Sequence, residues 1–165
     1  MKHIAIALTG LALLAACNQD PGAPTGKTAE TKATACDFDC TLNRHIRAIQ
    51  KHDFAAFAPT ITDRQEVDLI FPDGTLVQGR DAYMKTLKEF LDGGGFDFQY
   101  RLVRKQAGAD MGYALLDVTQ MNEGQPDPSR YYLLLVFALQ DGSWRLVHDQ
   151  NTRLPPVDAS AGEGA

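Results

Sequence analysis

Three titratable side chains are candidates for acid-base chemistry: His45, Asp117 and His148. A histidine exchanges a proton near neutral pH, so either histidine can serve as acid or base. Asp117 lies in the strand-like run YALLDVTQM on the same face as Tyr113, and burial of that face would raise the pKa of its carboxyl. A structural role is the alternative for each: a half-buried histidine bonded to the backbone, or an aspartate facing solvent on the outside of a sheet.

The last strand-like segment, residues 143 to 151, carries polar groups toward its end. Strict alternation places Trp144, Leu146, His148 and Gln150 on one face of this strand. We therefore interpret His148 and Gln150 as candidates for contact with a ligand. Ordinary hydrogen bonding at the end of a strand is the alternative.

Periodicity predicts the elements that must position these residues. Apolar residues at helical spacing predict helices over residues 39 to 52 and 80 to 92, with a short helical turn over 53 to 58. Alternation and turn signals predict strands over 66 to 71, 75 to 78, 96 to 106, 112 to 122, 130 to 140 and 143 to 151. Because a helix comes first and a long antiparallel meander comes last, the order indicates an α+β domain.

The first residues, MKHIAIALTGLALLAAC, combine a lysine, a short apolar run and small residues before Cys17. This combination is typical of an export signal, and the run is shorter than the about 20 apolar residues that span a bilayer. The segment LAAC that ends at Cys17 resembles the lipobox of bacterial lipoproteins, which implies a lipid on Cys17 that attaches the chain to a membrane. A plain secretory signal is the alternative. Asn18 follows the cysteine, and the resemblance then favours the outer over the inner membrane of the bacterial cell envelope.

Removal of the predicted signal peptide, residues 1–16, leaves 149 residues with 15 basic and 21 acidic side chains. This acidic balance argues against nucleic acid as a partner. Residues 17–38 are predicted to be the lipidated cysteine and a flexible tether, because residues 18–35 contain no large apolar side chain. A single domain over residues 39–152 and a disordered tail over 153–165 complete the predicted organisation.

Cys36 and Cys40 form an even pair in a chain that we expect to be exported, so a disulfide is the default prediction. Four residues apart at the start of a helix, they reach bridging distance only with local distortion. A metal site is the alternative, but His45 and His52 lie two turns, about 10 Å, apart along the helix and cannot bind one ion. The chain has no glycine-rich phosphate loop, GxSxG or HExxH motif. We predict no metal site and no cofactor.

Three segments together resemble the SnoaL-like branch of the nuclear transport factor 2-like superfamily: KHDFAAF, FPDGTLVQGRDAY and DGSWRLVHDQNT. The resemblance implies a curved antiparallel sheet wrapped around N-terminal helices, a cone-shaped, cystatin-like α+β roll with an open mouth. It also implies a pocket for a small molecule and a homodimer formed through the outer face of the sheet. It implies no particular reaction, because one fold supports many functions.

Ketosteroid isomerase, a member of this superfamily, uses an aspartate base, a tyrosine and a protonated aspartate. The corresponding positions here fall at or next to Phe71, at His45, and near Leu134 or Leu135. Phenylalanine cannot titrate and leucine is not an acid. The sequence therefore argues against that isomerase.

We favour a membrane-anchored module that binds a small, mostly apolar ligand over an enzyme. The residues predicted to contact the ligand are His45, Phe71, Tyr113, Asp117, His148 and Gln150. An enzyme of the same fold is the first alternative, with isomerase or hydrolase chemistry at His45, Asp117 or His148. The second is a scaffold whose cavity is filled by its own side chains and whose sheet face binds a protein.

Overall fold

A computed structural model describes residues 36–155 of the chain. The predicted signal peptide, the predicted lipidation site at Cys17, most of the predicted tether and the end of the predicted tail lie outside the described residues. Within residues 36–155, no helix is long and apolar enough to cross a bilayer.

Within residues 36–155, three α-helices accompany the sheet: α1 (Phe38–Gln50), α2 (Phe54–Phe57) and α3 (Arg80–Gly93), with a 3-10 turn at Ala58–Thr60 directly after α2. The Asp37 side chain caps α1 by accepting a hydrogen bond from the Cys40 backbone N–H at 2.8 Å. This contact satisfies one of the free donors of the first turn. Cys36 and Cys40 form a disulfide around the cap, with their Cα atoms 5.3 Å apart. The helix therefore begins one residue earlier than its sequence pattern indicated.

Six strands form one sheet: β1 (Asp68–Ile70), β2 (Leu76–Gln78), β3 (Phe96–Ala107), β4 (Met111–Asn122), β5 (Ser129–Gln140) and β6 (Ser143–Arg153). Their order across the sheet is β2-β1-β6-β5-β4-β3. All neighbours are antiparallel except β1 and β6, which run parallel. The predicted α+β fold, a curved and mostly antiparallel sheet with N-terminal helices, is confirmed.

The helices pack on the inner face of the sheet. On this face β4 and β5 pair Leu116 with Leu133, and both side chains are buried. Both belong to the same core cluster as the apolar residues of α1. Gly112 on β4 makes room for α1, because a Cβ at this position would lie 2.8 Å from the Phe38 ring. The start of α1 therefore packs closely against β4.

A β-bulge in β6 changes which of its residues face inward. The pairing with β5 shifts by one residue between Leu146 and His148, so Val147 is the extra residue. Leu146 is buried before the bulge and Asp149 is buried after it. Beyond the bulge, Asp149 and every second residue after it share the inner face.

β6 continues through Arg153, where we predicted the start of a disordered tail. The Leu154 backbone N–H donates to the Arg130 carbonyl at 3.0 Å. This bond extends the pairing of β6 with β5 by one more residue. The domain therefore reaches beyond residue 152 and includes Arg153 and Leu154.

Candidate active site in the sheet cavity

A cavity of about 810 Å³ opens between the inner face of the sheet and the helices α1 and α3. Pockets that bind small molecules have volumes of about 300–1,000 Å³. The apolar part of its wall is formed by Ile49, Leu69, Leu87, Phe98 and Leu133. The cavity is thus large enough for a small organic molecule and mainly offers it hydrocarbon contacts.

The Asp149 carboxyl lies in the cavity wall, although only 6% of the residue is exposed. The Tyr83 hydroxyl donates to its Oδ2 at 3.3 Å, and the Asn151 side-chain amide donates to its Oδ1 at 3.1 Å. Burial raises the pKa of Asp149 to about 7, although the two hydrogen bonds favour the ionised form. The carboxyl therefore takes up or releases a proton near neutral pH.

Tyr83 and Asn151 fix the orientation of this carboxyl. Asn151 Nδ2 also donates to the Ile70 carbonyl at 3.1 Å, which joins β6 to β1. Tyr83 is fully buried on α3. Burial, followed by the charge of Asp149, raises the pKa of the Tyr83 phenol well above its usual value. The phenol therefore stays protonated and remains a donor to Asp149.

A second polar group in the cavity wall is centred on the Tyr131 hydroxyl of β5. This hydroxyl donates to Gln120 Oε1 at 2.8 Å, and Gln120 Nε2 donates to Asn122 Oδ1 at 2.7 Å. Burial, followed by the charge of Asp149, raises the pKa of the Tyr131 phenol. The cavity thus has two separate polar regions, one at Asp149 and one at Tyr131.

The rest of the cavity lining includes three charged residues: Arg130, Arg153 and Asp127. The Arg130 guanidinium lies 3.8 Å from the Asp117 carboxylate. Arg153 forms no ion pair with any of residues 36–155. Across the same residues, no three histidine, cysteine or acidic side chains converge to hold a metal ion.

The family model of the SnoaL-like domain matches residues 40–152 of the chain. The chain belongs to the SnoaL-like domain family. The match covers both regions of the cavity wall, from Ile49 on α1 to Asp149 and Asn151 on β6. No curated protein sequence matches this SnoaL-like chain.

Solved structures similar to this SnoaL-like domain share its fold. An uncharacterised protein with a cystatin-like fold from Caulobacter vibrioides is 17% identical, with a TM-score of 0.62 over 72% of this chain and 87% of that one. A protein of the NTF2-like family from Streptomyces avermitilis, provisionally named a dehydratase, is 14% identical, with a TM-score of 0.61 over 71% and 93%. An LEH-like epoxide hydrolase from M. tuberculosis is 14% identical, with a TM-score of 0.53 over 69% and 80%. These similarities show the fold alone and confirm that it is the predicted one.

Of the six residues predicted to contact a ligand, Phe71 lines the cavity and the other five do not. His45 lies instead in the core, with its ring centroid 4.7 Å from Phe57 and 5.7 Å from Phe137. Its Nδ1–H donates to the Thr60 hydroxyl at 2.8 Å, which in turn donates to the Phe57 carbonyl. Within the described part of the chain, His45 Nε2 has no partner, and burial lowers the pKa of His45 to about 3. The imidazole is therefore neutral at physiological pH.

Tyr113 and Asp117 lie on the outer face of the sheet, because the alternate residues of β4 are the buried ones. The Asp117 carboxylate forms ion pairs with Arg101 at 2.8 Å and Arg130 at 3.8 Å. Asp117 therefore lies on the outer face and not in the interior position that we considered from the sequence. The aspartate contacts cations there and not a ligand in the cavity.

His148 and Gln150 also lie on the outer face, for a different reason. Strict alternation from the inward residue Leu146 places them inside, but the bulge at Val147 reverses the alternation. His148 Nε2 lies 3.5 Å from Gln150 Oε1. The two side chains contact each other on the outside, which agrees with the alternative of end-of-strand bonding.

The sequence reasoning missed Asp149, Asn151 and Tyr131 as residues of the cavity. The run HDQN at 148–151 did indicate a polar strand end, and only the choice of face was wrong. Tyr83 lies within the helix predicted over residues 80 to 92, but its contact with Asp149 spans 66 residues of sequence. No local pattern indicates a contact over that distance.

Proposed function

We propose that this SnoaL-like domain binds a small, mostly apolar molecule in its cavity, with Asp149 as the proton-holding group in contact with it. The single observation that supports the proposal is an apolar cavity of about 810 Å³ whose wall contains one buried carboxyl. A buried ionisable group in a cavity of this size is the usual mark of a binding or active site.

The test is a titration with phenylnaphthylamine, a neutral apolar dye whose fluorescence rises in an apolar environment. We expect one dye molecule to bind per chain. Thr86 on α3 lines the cavity, so Thr86→Trp fills part of it and should weaken binding at least tenfold. Lys85→Trp is the matched control, because the neighbouring Lys85 side chain is 74% exposed. Equal binding to both variants and the wild type would refute the proposal.

Acid-base catalysis in the same cavity is the second candidate, and the position of Asp149 favours it. Its two hydrogen-bond donors orient the carboxyl, and its pKa of about 7 provides both the base and the acid form near neutral pH. As carboxylate, Asp149 would remove a proton from a bound molecule and then return the proton to another atom of that molecule.

This second candidate is tested with two apolar probes: an epoxide, cyclohexene oxide, and a β,γ-unsaturated ketone. A rate with either probe that Asp149→Asn abolishes, while dye binding persists, would support catalysis. If the wild type is no faster than Asp149→Asn with either probe, binding remains the only function that we propose for the cavity. The choice of probes follows the isomerase and hydrolase alternatives for this fold, and one similar structure is an epoxide hydrolase.

We also propose that the chain functions as a lipid-anchored protein of the bacterial cell envelope, attached through Cys17. Support comes from the order of charge, apolar run and small residues before that cysteine. In a bacterial host, Cys17→Ala should move the chain from the membrane fraction to the soluble fraction. Unchanged fractionation of Cys17→Ala would contradict the proposal, and separation of inner from outer membrane would identify the membrane.

A homodimer through the outer face of the sheet is a further proposal. Apolar side chains of β4 and β5, Leu115, Leu134 and Val136, are only half-buried there, and Tyr132 is 38% exposed. We expect Leu134→Glu to give a monomer in sedimentation experiments. Leu102→Glu, an exposed apolar position on β3, is the control and should remain dimeric. A monomeric wild type would refute this proposal.

A further inference from the structure

One face of β6 forms a row of polar side chains that runs along the cavity wall. Asp149, Asn151 and Arg153 all line the cavity, at successive steps of two residues beyond the bulge. Exposure increases along the row, from buried Asp149 through half-buried Asn151 to exposed Arg153. Four residues of a strand span about 13 Å, which sets the distance between the buried and the exposed end.

The wall beside this row is apolar. In the neighbouring strand, Leu133 pairs with Asn151 and separates the Asp149 level from the Arg153 level. Leu87 of α3 and Phe98 of β3 also line the cavity. A molecule that reaches from one end of the row to the other therefore contacts hydrocarbon along its middle.

The exposed end of the row is cationic. Arg153 has no ion-pair partner among residues 36–155, whereas Arg130 is already close to Asp117. Besides Asp149, the cavity lining contains one other acid, Asp127. Hydrogen bonds from Thr75 are the main cause that lowers the pKa of exposed Asp73, and the Arg153 charge makes the smallest contribution. Arg153 is therefore the cation at this end that an anionic group of a ligand can pair with.

The buried end of the row can donate a hydrogen bond. Both Asp149 oxygens already accept hydrogen bonds, from Tyr83 and from Asn151. A proton on this carboxyl therefore needs an acceptor outside these two residues, because a buried donor left without a partner destabilises the protein. An oxygen atom of the ligand can accept this proton.

We propose that the cavity takes an apolar acid that carries an oxygen function at the end opposite its anionic head, with the head against Arg153 and the oxygen against Asp149. Hydroxylated and oxidised aliphatic acids have this chemistry. The inference rests on the proposed binding function and adds to it the ligand class and its orientation.

The test compares four probes that share one chain length: decanoate, omega-hydroxydecanoate, decanol and decylamine. Each displaces phenylnaphthylamine from the full mature chain. We expect omega-hydroxydecanoate to bind tightest, decanoate next, and decanol and decylamine at least tenfold more weakly than decanoate. Arg153→Gln should remove the preference for decanoate over decanol. Arg104→Gln, the same change at an exposed arginine of β3, should leave that preference intact.

The buried end is tested with Asp149→Leu. This variant replaces the carboxyl with an apolar group of the same branched shape, and it should bind decanoate but lose the preference for omega-hydroxydecanoate. Decanol or decylamine binding as tightly as decanoate would overturn the inference and leave the binding function standing. Dye binding that none of the four probes displaces would do the same. Absence of dye binding in the wild type would overturn both proposals together.

Discussion

Two buried titratable groups shift the stability of this domain in opposite directions as the pH changes. Burial raises the pKa of Asp149 from 3.8 to about 7 and lowers the pKa of His45 from 6.5 to about 3. Between pH 3.8 and 7, the native state holds a proton on Asp149 that the unfolded chain has lost, so stability falls as pH rises. Between pH 3 and 6.5, the unfolded chain holds a proton on His45 that the native state lacks, so stability rises with pH.

The two effects overlap between pH 3.8 and 6.5 and cancel there. Each one amounts to about 1.4 kcal/mol for every pH unit, or about 4 kcal/mol across the window. Asp149→Asn removes the pH dependence due to Asp149 and leaves that of His45. The free energy of unfolding of this variant should therefore fall by about 4 kcal/mol relative to the wild type as the pH falls through the window. His45→Asn removes the pH dependence due to His45, so this variant should gain a similar amount over the same range. Any constant cost of either substitution cancels, because only the change with pH is compared.

The assay is urea unfolding of the oxidised mature chain at several pH values, followed by the fluorescence of Trp144, which is the single tryptophan. The wild-type curve supplies the contribution of all other titratable groups and is subtracted from each variant curve. The expected result is two difference curves of opposite slope. Difference curves that are flat within about 1 kcal/mol would refute the argument that burial controls these two pKa values.

Three further predictions concern packing, the disulfide and a helix cap. Gly112→Ala should lower the free energy of unfolding by about 1–3 kcal/mol, because its Cβ would meet the packed Phe38 ring at 2.8 Å. Joint replacement of Cys36 and Cys40 by serine should cost less than about 3 kcal/mol, because the closed loop is short. Asp53→Ala should cost about 1 kcal/mol, because the Asp53 carboxylate caps α2 at the Ala56 N–H. Urea unfolding measures all three.

Each of these variants has a control in the same chain. Gly108→Ala should cost less than Gly112→Ala, since the nearest atom to its Cβ is a backbone oxygen at 3.5 Å. Reduction of the wild-type disulfide should match the cysteine replacement. Asp63→Ala removes an exposed carboxylate outside any helix and should change little. A Gly108→Ala cost equal to that of Gly112→Ala would contradict the packing argument.

The fold was predictable because its helices and long strands carry regular periodicity. The apolar stripe of α1 depends on residues one or two helical turns apart. The alternation in β4 and β5 depends on residues two positions apart. The Asp141-Gly142 pair marks the hairpin between β5 and β6, and Asp141 adopts the positive φ that such a turn requires. Local rules of this kind determine element type and order.

The site was less predictable than the fold, because it depends on which face of each strand and helix is turned toward the cavity. Asp117 was considered for the interior, but alternation within β4 alone does not indicate which of its two faces the helices cover. His45 lies at the edge of the helical stripe, and its burial depends on Phe57 and Phe137, far away in sequence. The positions of Asp117 and His45 both depend on tertiary contacts, which a local sequence pattern does not reveal.

The extra residue in β6 has the largest consequence of any single feature. Without a bulge, the polar run at 148–151 would point His148 and Gln150 at the cavity, and a histidine would be its titratable group. With Val147 as the extra residue, the cavity receives Asp149 and Asn151 instead. The buried carboxyl still titrates near neutrality because burial raises its pKa to about 7. The fold thus places a proton-holding group in the cavity through desolvation of a carboxyl, and it leaves His148 on the outer face, where we propose that two copies of the chain meet.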